Sequence, residues 1–215
     1  MTYLQLVNSV LRRLREDQVA TVEQNTYSQL IGELVNEAKE TVENSWDWTG
    51  LRTTIVVPTV ASTYTYTITD SQNKLKILDV INDTGNTFMT ERGNSWMRNL
   101  FLNNTAPESQ PQYYNLKTLD DNGDNVFEVY PIPDKVYNLN FSVVKRTPYF
   151  TDDNSKLKVS TNAVILYATA LASRERGETG GTAAAEQFAL ADRALSDAIA
   201  YDAAQHPDET IWTPV

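Results

Sequence analysis

The chain has 215 residues, enough for one compact domain with an insertion or for two small domains. Its 41% hydrophobic and 21% charged residues are typical of a globular protein, which excludes wholesale disorder, a collagen-like fibre and a coiled-coil rod. The absence of cysteine excludes disulfide scaffolds and thiol nucleophiles, and the single histidine, His206, excludes sites that need two imidazoles from one subunit. With 28 acidic and 18 basic residues the net charge is -10, which disfavours binding to phosphate backbones or anionic lipid.

The first 50 residues have helical periodicity. Thr2–Gln5 forms a capping-box pattern, and an apolar stripe follows it from Leu4 to Leu14. A second capping-box pattern at Thr26–Gln29 predicts the start of a longer helix, whose apolar stripe runs to Val42. These signals predict two amphipathic helices.

The middle of the chain alternates between apolar and polar residues and is rich in turn residues. Trp46 and Trp48 precede it, and we expect both rings to plug the core where helix meets sheet. Strands are predicted over residues 52–57, 64–68, 75–81, 87–91, 113–119, 126–130 and 137–145, with a short helix or loop at 94–103. Asp120–Asp124 contains Asn-Gly and predicts a hairpin turn. The zone is therefore expected to form an antiparallel sheet or small sandwich.

Helical sequence returns at Ser160, and a final Ala-rich helix is predicted over Ala183–Ala204. Alanine on several of its faces favours close approach by a second helix, or simply reflects high helix propensity. The predicted fold class is α+β, in which a discontinuous helical bundle (1–50 and 155–204) carries an inserted antiparallel β domain (51–154). Two prolines predict an extended C-terminal tail over residues 205–215.

No motif predicts catalysis, a cofactor or a metal site. Asp120–Asp124 lacks the spacing of an EF-hand loop, so the hairpin is favoured over calcium. His206 lies beside Pro207 in the predicted tail, where a catalytic triad would not be held rigidly. Four tyrosines of the middle zone allow two interpretations: Tyr64, Tyr66, Tyr113 and Tyr114. They form either a surface that stacks on sugars or binds a partner protein, or they form part of the core.

Three segments carry a resemblance to a known family: Ser45–Trp48, Val129–Asp134 and Ala163–Ala168. With this order of elements, the chain resembles the head-to-tail adaptor (connector) proteins of tailed double-stranded DNA bacteriophages, with tail tubular protein A of podoviruses as the nearest form. The resemblance implies a structural protein, not an enzyme, that forms a ring, typically of twelve subunits. The ring would dock on the portal, join it to the tail and line the DNA channel.

The same resemblance implies a set of partners and a location. The helical bundle would build the ring wall, and the β domain would face outward or toward the tail. The partners would be further copies of the chain, the portal protein, downstream tail or nozzle proteins, and passing double-stranded DNA without sequence-specific binding or any membrane. The protein would be made in the bacterial cytoplasm and end at the head-to-tail interface of the virion.

The C-terminal tail is the predicted portal-binding segment, because it carries large apolar groups and cannot fold alone. The residues predicted to make this contact are Pro207, Ile211, Trp212, Pro214 and Val215. Two alternatives remain open at this point: a carbohydrate- or receptor-binding module that uses the Tyr-rich β domain, and a carboxylate-dependent hydrolase.

Overall fold

Helices and strands are segregated along the chain. A computed structural model describes residues 1–71, 75–103, 106–177 and 182–205. Its helices are α1 (Tyr3–Arg13), α2 (Thr26–Ser45), α3 (Asn94–Asn103), α4 (Thr161–Glu175) and α5 (Thr182–Gln205). Its strands are β1 (Arg52–Pro58), β2 (Thr65–Ile68), β3 (Leu75–Asn82), β4 (Thr87–Phe88), β5 (Thr90–Glu91), β6 (Tyr113–Leu119), β7 (Asn125–Tyr130) and β8 (Asn138–Lys145). The predicted α+β class is confirmed.

The chain divides into two compact units. The helical unit comprises Met1–Leu51 and Arg146–Val215, and the β unit comprises Arg52–Lys145. The chain thus leaves the helical unit once, builds the eight described strands and α3, and returns.

Side-chain caps start the first two helices. The Thr2 hydroxyl accepts from the Gln5 N–H at 3.4 Å and the Gln5 side chain accepts from the Thr2 N–H at 3.0 Å, which confirms the predicted capping box. The box of α2 is formed instead by Asn25 and Ser28, one residue earlier than predicted. The Ser28 hydroxyl explains the shift, because it also donates to the Val22 carbonyl at 2.7 Å and so ties the helix to the preceding turn.

Helix α4 is the centre of the helical unit and packs against α1, α2 and α5. It is buried on several sides, through Ala163, Val164, Ile165, Ala168, Ala170, Leu171 and Ala172. Helix α5 runs antiparallel to α4, since the Tyr167 hydroxyl bonds Asp192 and the Arg174 guanidinium lies 5.6 Å from the centre of the Phe188 ring. The two helices therefore form a hairpin with α5 on its outer side.

A ladder of polar side chains on α2 holds the segment that returns from the β unit. Asn36 exchanges two hydrogen bonds with the backbone of Phe150, at 2.8 and 3.1 Å. The Lys39 ammonium donates to the carbonyls of Thr147 and Pro148, and Glu43 accepts from the Thr147 N–H at 3.0 Å. Residues 146–150 thus belong to the helical unit, where the ladder satisfies their backbone groups.

The β unit is a sandwich of two four-stranded sheets, with strand orders β1-β8-β3-β4 and β2-β7-β6-β5. Its core is formed by Ile68, Val80, Met89, Tyr114, Phe127, Val129, Tyr137, Leu139, Phe141 and Val143. The predicted hairpin is confirmed, with β6 and β7 antiparallel across Asp120–Asp124.

The prediction of a single strand over 87–91 is wrong. Met89 is 7% exposed and turns into the core, so that β4 joins one sheet and β5 the other. The β5 strand pairs with β6 in parallel, the one exception to the predicted antiparallel arrangement among the described strand pairs.

Candidate interaction surfaces

The residues predicted to bind the portal, Pro207, Ile211, Trp212, Pro214 and Val215, lie outside the described residues, as does His206. The described chain ends at Gln205, the last residue of α5. Candidate surfaces are therefore built from the helices that lead to this end and from the faces of the β unit.

Helix α5 presents an open face along most of its 24 residues. Among its described side chains, residues 185–205, Ala191 alone is buried. The open side, here called the α5 outer face, comprises Ala189, Leu190, Arg193, Ala200 and Tyr201. Leu190 is 52% exposed and Tyr201 is 67% exposed. Small residues flanked by exposed apolar ones make a surface on which another helix can pack closely.

A shallow pocket adjoins the α5 outer face. Its volume is about 170 Å³ and its apolar walls are Leu166, Ala170 and Leu190. Arg13 and Gln187 supply polar groups at its edge, and the side-chain oxygen of Gln187 is buried without a hydrogen-bond partner in the described part of the chain. The pocket is large enough for one apolar side chain, and a hydrogen-bond donor beside that side chain could reach the Gln187 oxygen.

A larger groove lies at the C-terminal end of α5. This α4–α5 groove has a volume of about 440 Å³ and apolar walls formed by Trp48, Val159, Ala194, Ala198 and Tyr201. Lys158, Asp197 and Asp202 contribute charged groups, and Gln205 also lines it. The groove is a concave, mainly apolar surface with a few polar groups, as in binding sites generally.

Two contacts fix the wall of the groove that comes from the end of α2. Asp202 accepts hydrogen bonds from the Trp46 indole and the Thr49 N–H, both at 3.2 Å. Gly50 runs so close to the segment before α4 that a Cβ atom there would stand 2.5 Å from the Lys158 carbonyl oxygen. Only glycine permits this approach.

The two tryptophans have different environments. Trp48 is 4% exposed and its indole donates to the Val42 carbonyl at 2.7 Å, so its predicted burial is confirmed. Trp46 is 36% exposed and lies at the surface, where Asp202 holds it. The plug prediction is therefore wrong for Trp46, because its N–H donates to Asp202 at the surface.

The four tyrosines considered in the sequence do not all lie on one surface. Tyr114 belongs to the core, and the Tyr66 hydroxyl donates to the Thr63 carbonyl at 2.5 Å. Tyr113 packs against Trp96 of α3 at a ring distance of 5.0 Å. Tyr64 packs against Phe101 of the same helix at 4.6 Å and is still 39% exposed. Trp96 belongs to the predicted helix or loop over residues 94–103, for which the sequence pattern predicts no contact.

Two of the three carboxylates of the acidic hairpin accept hydrogen bonds from backbone N–H groups. Asp120 accepts from the N–H groups of Asn122 and Asp124, at 2.9 and 2.8 Å, and Gly123 adopts φ of 82°. Asp124 accepts from the Asp70 N–H at 2.9 Å. Over the described ranges, no group of three or more His, Asp or Glu side chains is arranged to hold a metal ion.

Burial and hydrogen bonding mark one ionisable contact in the α4–α5 hairpin. Partial burial, and then the bond to the Asp192 carboxylate, raise the pKa of the Tyr167 hydroxyl to about 12.

None of the helices within residues 1–71, 75–103, 106–177 and 182–205 has the length and apolar character needed to cross a bilayer.

Comparison with known proteins assigns the chain to a family. A family model described as SU10 adaptor protein matches residues 1–211. No protein with a curated description matches the chain. The family match spans both units and supports the phage-adaptor resemblance, which implies a structural component of a phage virion. The chain therefore belongs to the SU10 adaptor protein family.

Proposed function

We propose that this adaptor forms a ring that docks on the phage portal, joins it to the tail and lines the DNA channel. The observation that carries the proposal is the α5 outer face, which is open in the single chain although it extends along a 24-residue helix. A ring of twelve copies, as in the head-to-tail adaptors that the chain resembles, would bury this face at each junction. The likeness to tail tubular protein A is part of the same proposal.

The contact between copies would use the α5 outer face. Leu190 and Tyr201 are large exposed apolar residues on one helix, and the 170 Å³ pocket beside Leu190 can receive a side chain. The α5 outer face would meet a different surface of the next copy, because contacts between two different surfaces close into rings when the rotation per subunit divides a full turn. The Ala-rich composition of α5 allows the close approach that such packing needs.

The portal contact would use the C-terminal tail. Pro207 and Pro214 prevent helix continuation, and Ile211, Trp212 and Val215 are apolar groups suited to insertion into a pocket of a partner. Large aromatic residues of this kind often carry most of the binding free energy of an interface.

The β unit would face downstream tail proteins. The strand register places Val56, Asn140, Ile81 and Phe88 in one row across the sheet that contains β1, β8, β3 and β4. Val56 is 54% exposed and Phe88 is 73% exposed, so this row offers an apolar surface to a partner. The neighbouring core residues, such as Phe141, point to the opposite face of the sheet.

The net charge suits a channel for DNA. A chain with net charge -10, repeated around a ring, repels phosphate groups and lets DNA pass without adhering. Passage would therefore not depend on the DNA sequence.

The test is negative-stain imaging of the full chain, alone and mixed with the portal protein encoded in the same genome. We expect a ring stacked coaxially on the portal. A variant with Ile211→Ala and Trp212→Ala should lose portal association, whereas Thr210→Ala, a change in the same segment, should retain it. Full association of the double variant would overturn the role of the tail.

The contact between copies is tested in the same images. Leu190→Arg should prevent ring formation, because it places a charge in the proposed junction. Phe88→Arg introduces the same charge at an exposed apolar residue of the β unit and should leave the ring intact. Rings formed equally well by both variants would exclude the α5 outer face as the junction.

The carbohydrate- or receptor-binding alternative predicts a different outcome. It requires glycan binding that is lost on Tyr64→Ala, since Tyr64 is the exposed member of the four tyrosines. Failure to associate with the portal at any salt concentration, together with such binding, would favour that function over the adaptor ring.

A further inference from the structure

The α4–α5 groove lies where the described chain ends. Gln205 is the last residue of α5 and itself lines the groove, so the next residue of the chain emerges at its edge. Its apolar walls include Ala198 and Tyr201 of α5, and Trp48 from the segment after α2. Contacts from Asp202 and the close approach of Gly50 hold these walls in place. The groove is thus a built feature of the helical unit.

The ten residues that follow Gln205 have the composition to fill it. Ile211 and Trp212 are adjacent large apolar residues, and the acidic pair Asp208 and Glu209 precedes them. Lys158, an exposed cation, lies among the groove residues. An extended tail that turns back along α5 therefore brings apolar groups to apolar walls. Asp197 and Asp202 line the groove beside Lys158, so the contact would depend on the apolar groups and not on net charge.

The lengths also agree. From Gln205 back to Ala194 the groove runs along 11 residues of α5, roughly 17 Å at the helical rise. The six steps from Gln205 to Ile211 span at most roughly 20–22 Å when extended. The tail can therefore reverse direction and still place Ile211 and Trp212 beside Ala198, which lies roughly 10 Å back along α5 from Gln205.

We propose that the α4–α5 groove binds the C-terminal segment of its own chain, residues 207–212, with the Ile211 and Trp212 side chains as anchors. The groove then covers these two residues in the free protein. The inference concerns the free chain and does not depend on the portal, so it stands or fails separately from the proposed adaptor ring.

The first test is hydrogen exchange of the full chain, followed by mass spectrometry of peptides that cover residues 206–215. We expect Ala198→Arg, which fills the groove with a charged side chain, to speed exchange of Thr210–Thr213 at least tenfold. Ala200→Arg makes the same change two residues away on the α5 outer face and should leave the rate as in the unaltered chain. Equally fast exchange in all three chains would overturn the proposal.

The second test uses the absence of cysteine from the chain. In the double variant Ala198→Cys with Ile211→Cys, mild oxidation should form a disulfide within one chain. We expect this bond to form at least tenfold faster than in the matched variant Ala200→Cys with Ile211→Cys. Mass spectrometry and non-reducing gels distinguish bonds within a chain from bonds between chains. Equal rates, or dimers in place of the intrachain bond, would overturn the assignment to the same chain.

Discussion

A buried lysine is the least expected residue of the helical unit. Lys39 lies fully buried on a helix whose sequence shows an amphipathic stripe, and its ammonium donates to Thr147 and Pro148. Glu43 is 2% exposed and lies 3.9 Å from the ammonium group. The Phe150 ring covers the charge, with its centre 4.5 Å from Nζ. Such a charge is tolerated in the interior because carbonyls, a hydroxyl, a carboxylate and an aromatic face all compensate it.

Lys39→Met should lower the free energy of unfolding by about 3–5 kcal/mol, because it leaves the buried Glu43 carboxylate without its cation. The measurement is urea denaturation followed by circular dichroism. Lys156→Met, the same change at an exposed lysine, should alter stability by no more than about 0.5 kcal/mol. Equal effects of the two substitutions would contradict the compensating role of the ladder.

Buried tyrosines predict a loss of stability at high pH. Burial raises the pKa of Tyr3 and of Tyr114 from 10.0 to about 12, and the pKa of Tyr167 also rises to about 12. Between pH 10 and 12 the unfolded chain loses these protons while the folded chain retains them. The contribution of these tyrosines to the free energy of unfolding should therefore be complete below pH 10. It should be lost as the pH rises to 12.

This decline can be checked by urea denaturation at successive pH values. Tyr167→Phe removes one of the groups and should make the decline from pH 10 to 12 shallower than in the unaltered chain. The pH series then separates the titration effect from any constant loss of stability caused by the missing hydroxyl. An identical slope in both chains would show that Tyr167 does not contribute.

At the scale of elements, the approach of two segments depends on a single glycine. Gly50→Ala should lower the free energy of unfolding by about 1–3 kcal/mol, because the new methyl group meets the backbone of Lys158 at 2.5 Å. Gly93→Ala is the control, since a Cβ atom there meets nothing within 4 Å. Thermal unfolding of both variants measures the difference, and a Gly50 variant as stable as the control would contradict the close approach.

Element boundaries in the β unit depend on pairing partners. Residues 87–91 have the composition of one strand, yet Met89 enters the core and its N–H donates to the Val80 carbonyl at 2.8 Å. The chain therefore changes sheets at this residue, and β5 meets β6 in parallel. Composition alone does not reveal such a crossing, because either sheet would accept the same residues.

At the scale of the whole molecule, the β unit has the geometry of an inserted domain. Arg52 of β1 pairs with Val144 of β8, so the two ends of the unit lie side by side. The unit also has its own core of ten buried residues. Both features are expected of a domain that can fold when separated from its host chain.

A fragment containing Arg52–Lys145 should therefore fold by itself. We expect a β-rich circular dichroism spectrum and one cooperative thermal transition. Phe141→Ala should abolish or sharply lower that transition, because Phe141 lies fully buried in the core, whereas Phe88→Ala at an exposed position should not. A fragment that is unfolded without either substitution would show that the β unit depends on the rest of the chain.

The sequence by itself determined the α+β class, the capping box of α1, the β6–β7 hairpin and the resemblance to phage adaptors, because each depends on local periodicity or short motifs. The tertiary structure alone decided that Lys39 and Glu43 are buried, that β4 and β5 belong to different sheets, and that Trp46 lies at the surface. It also brought Trp48, Lys158 and Tyr201 together around one groove. These features depend on contacts between distant residues, such as Trp46 and Asp202, which are 156 positions apart, and no local pattern records them.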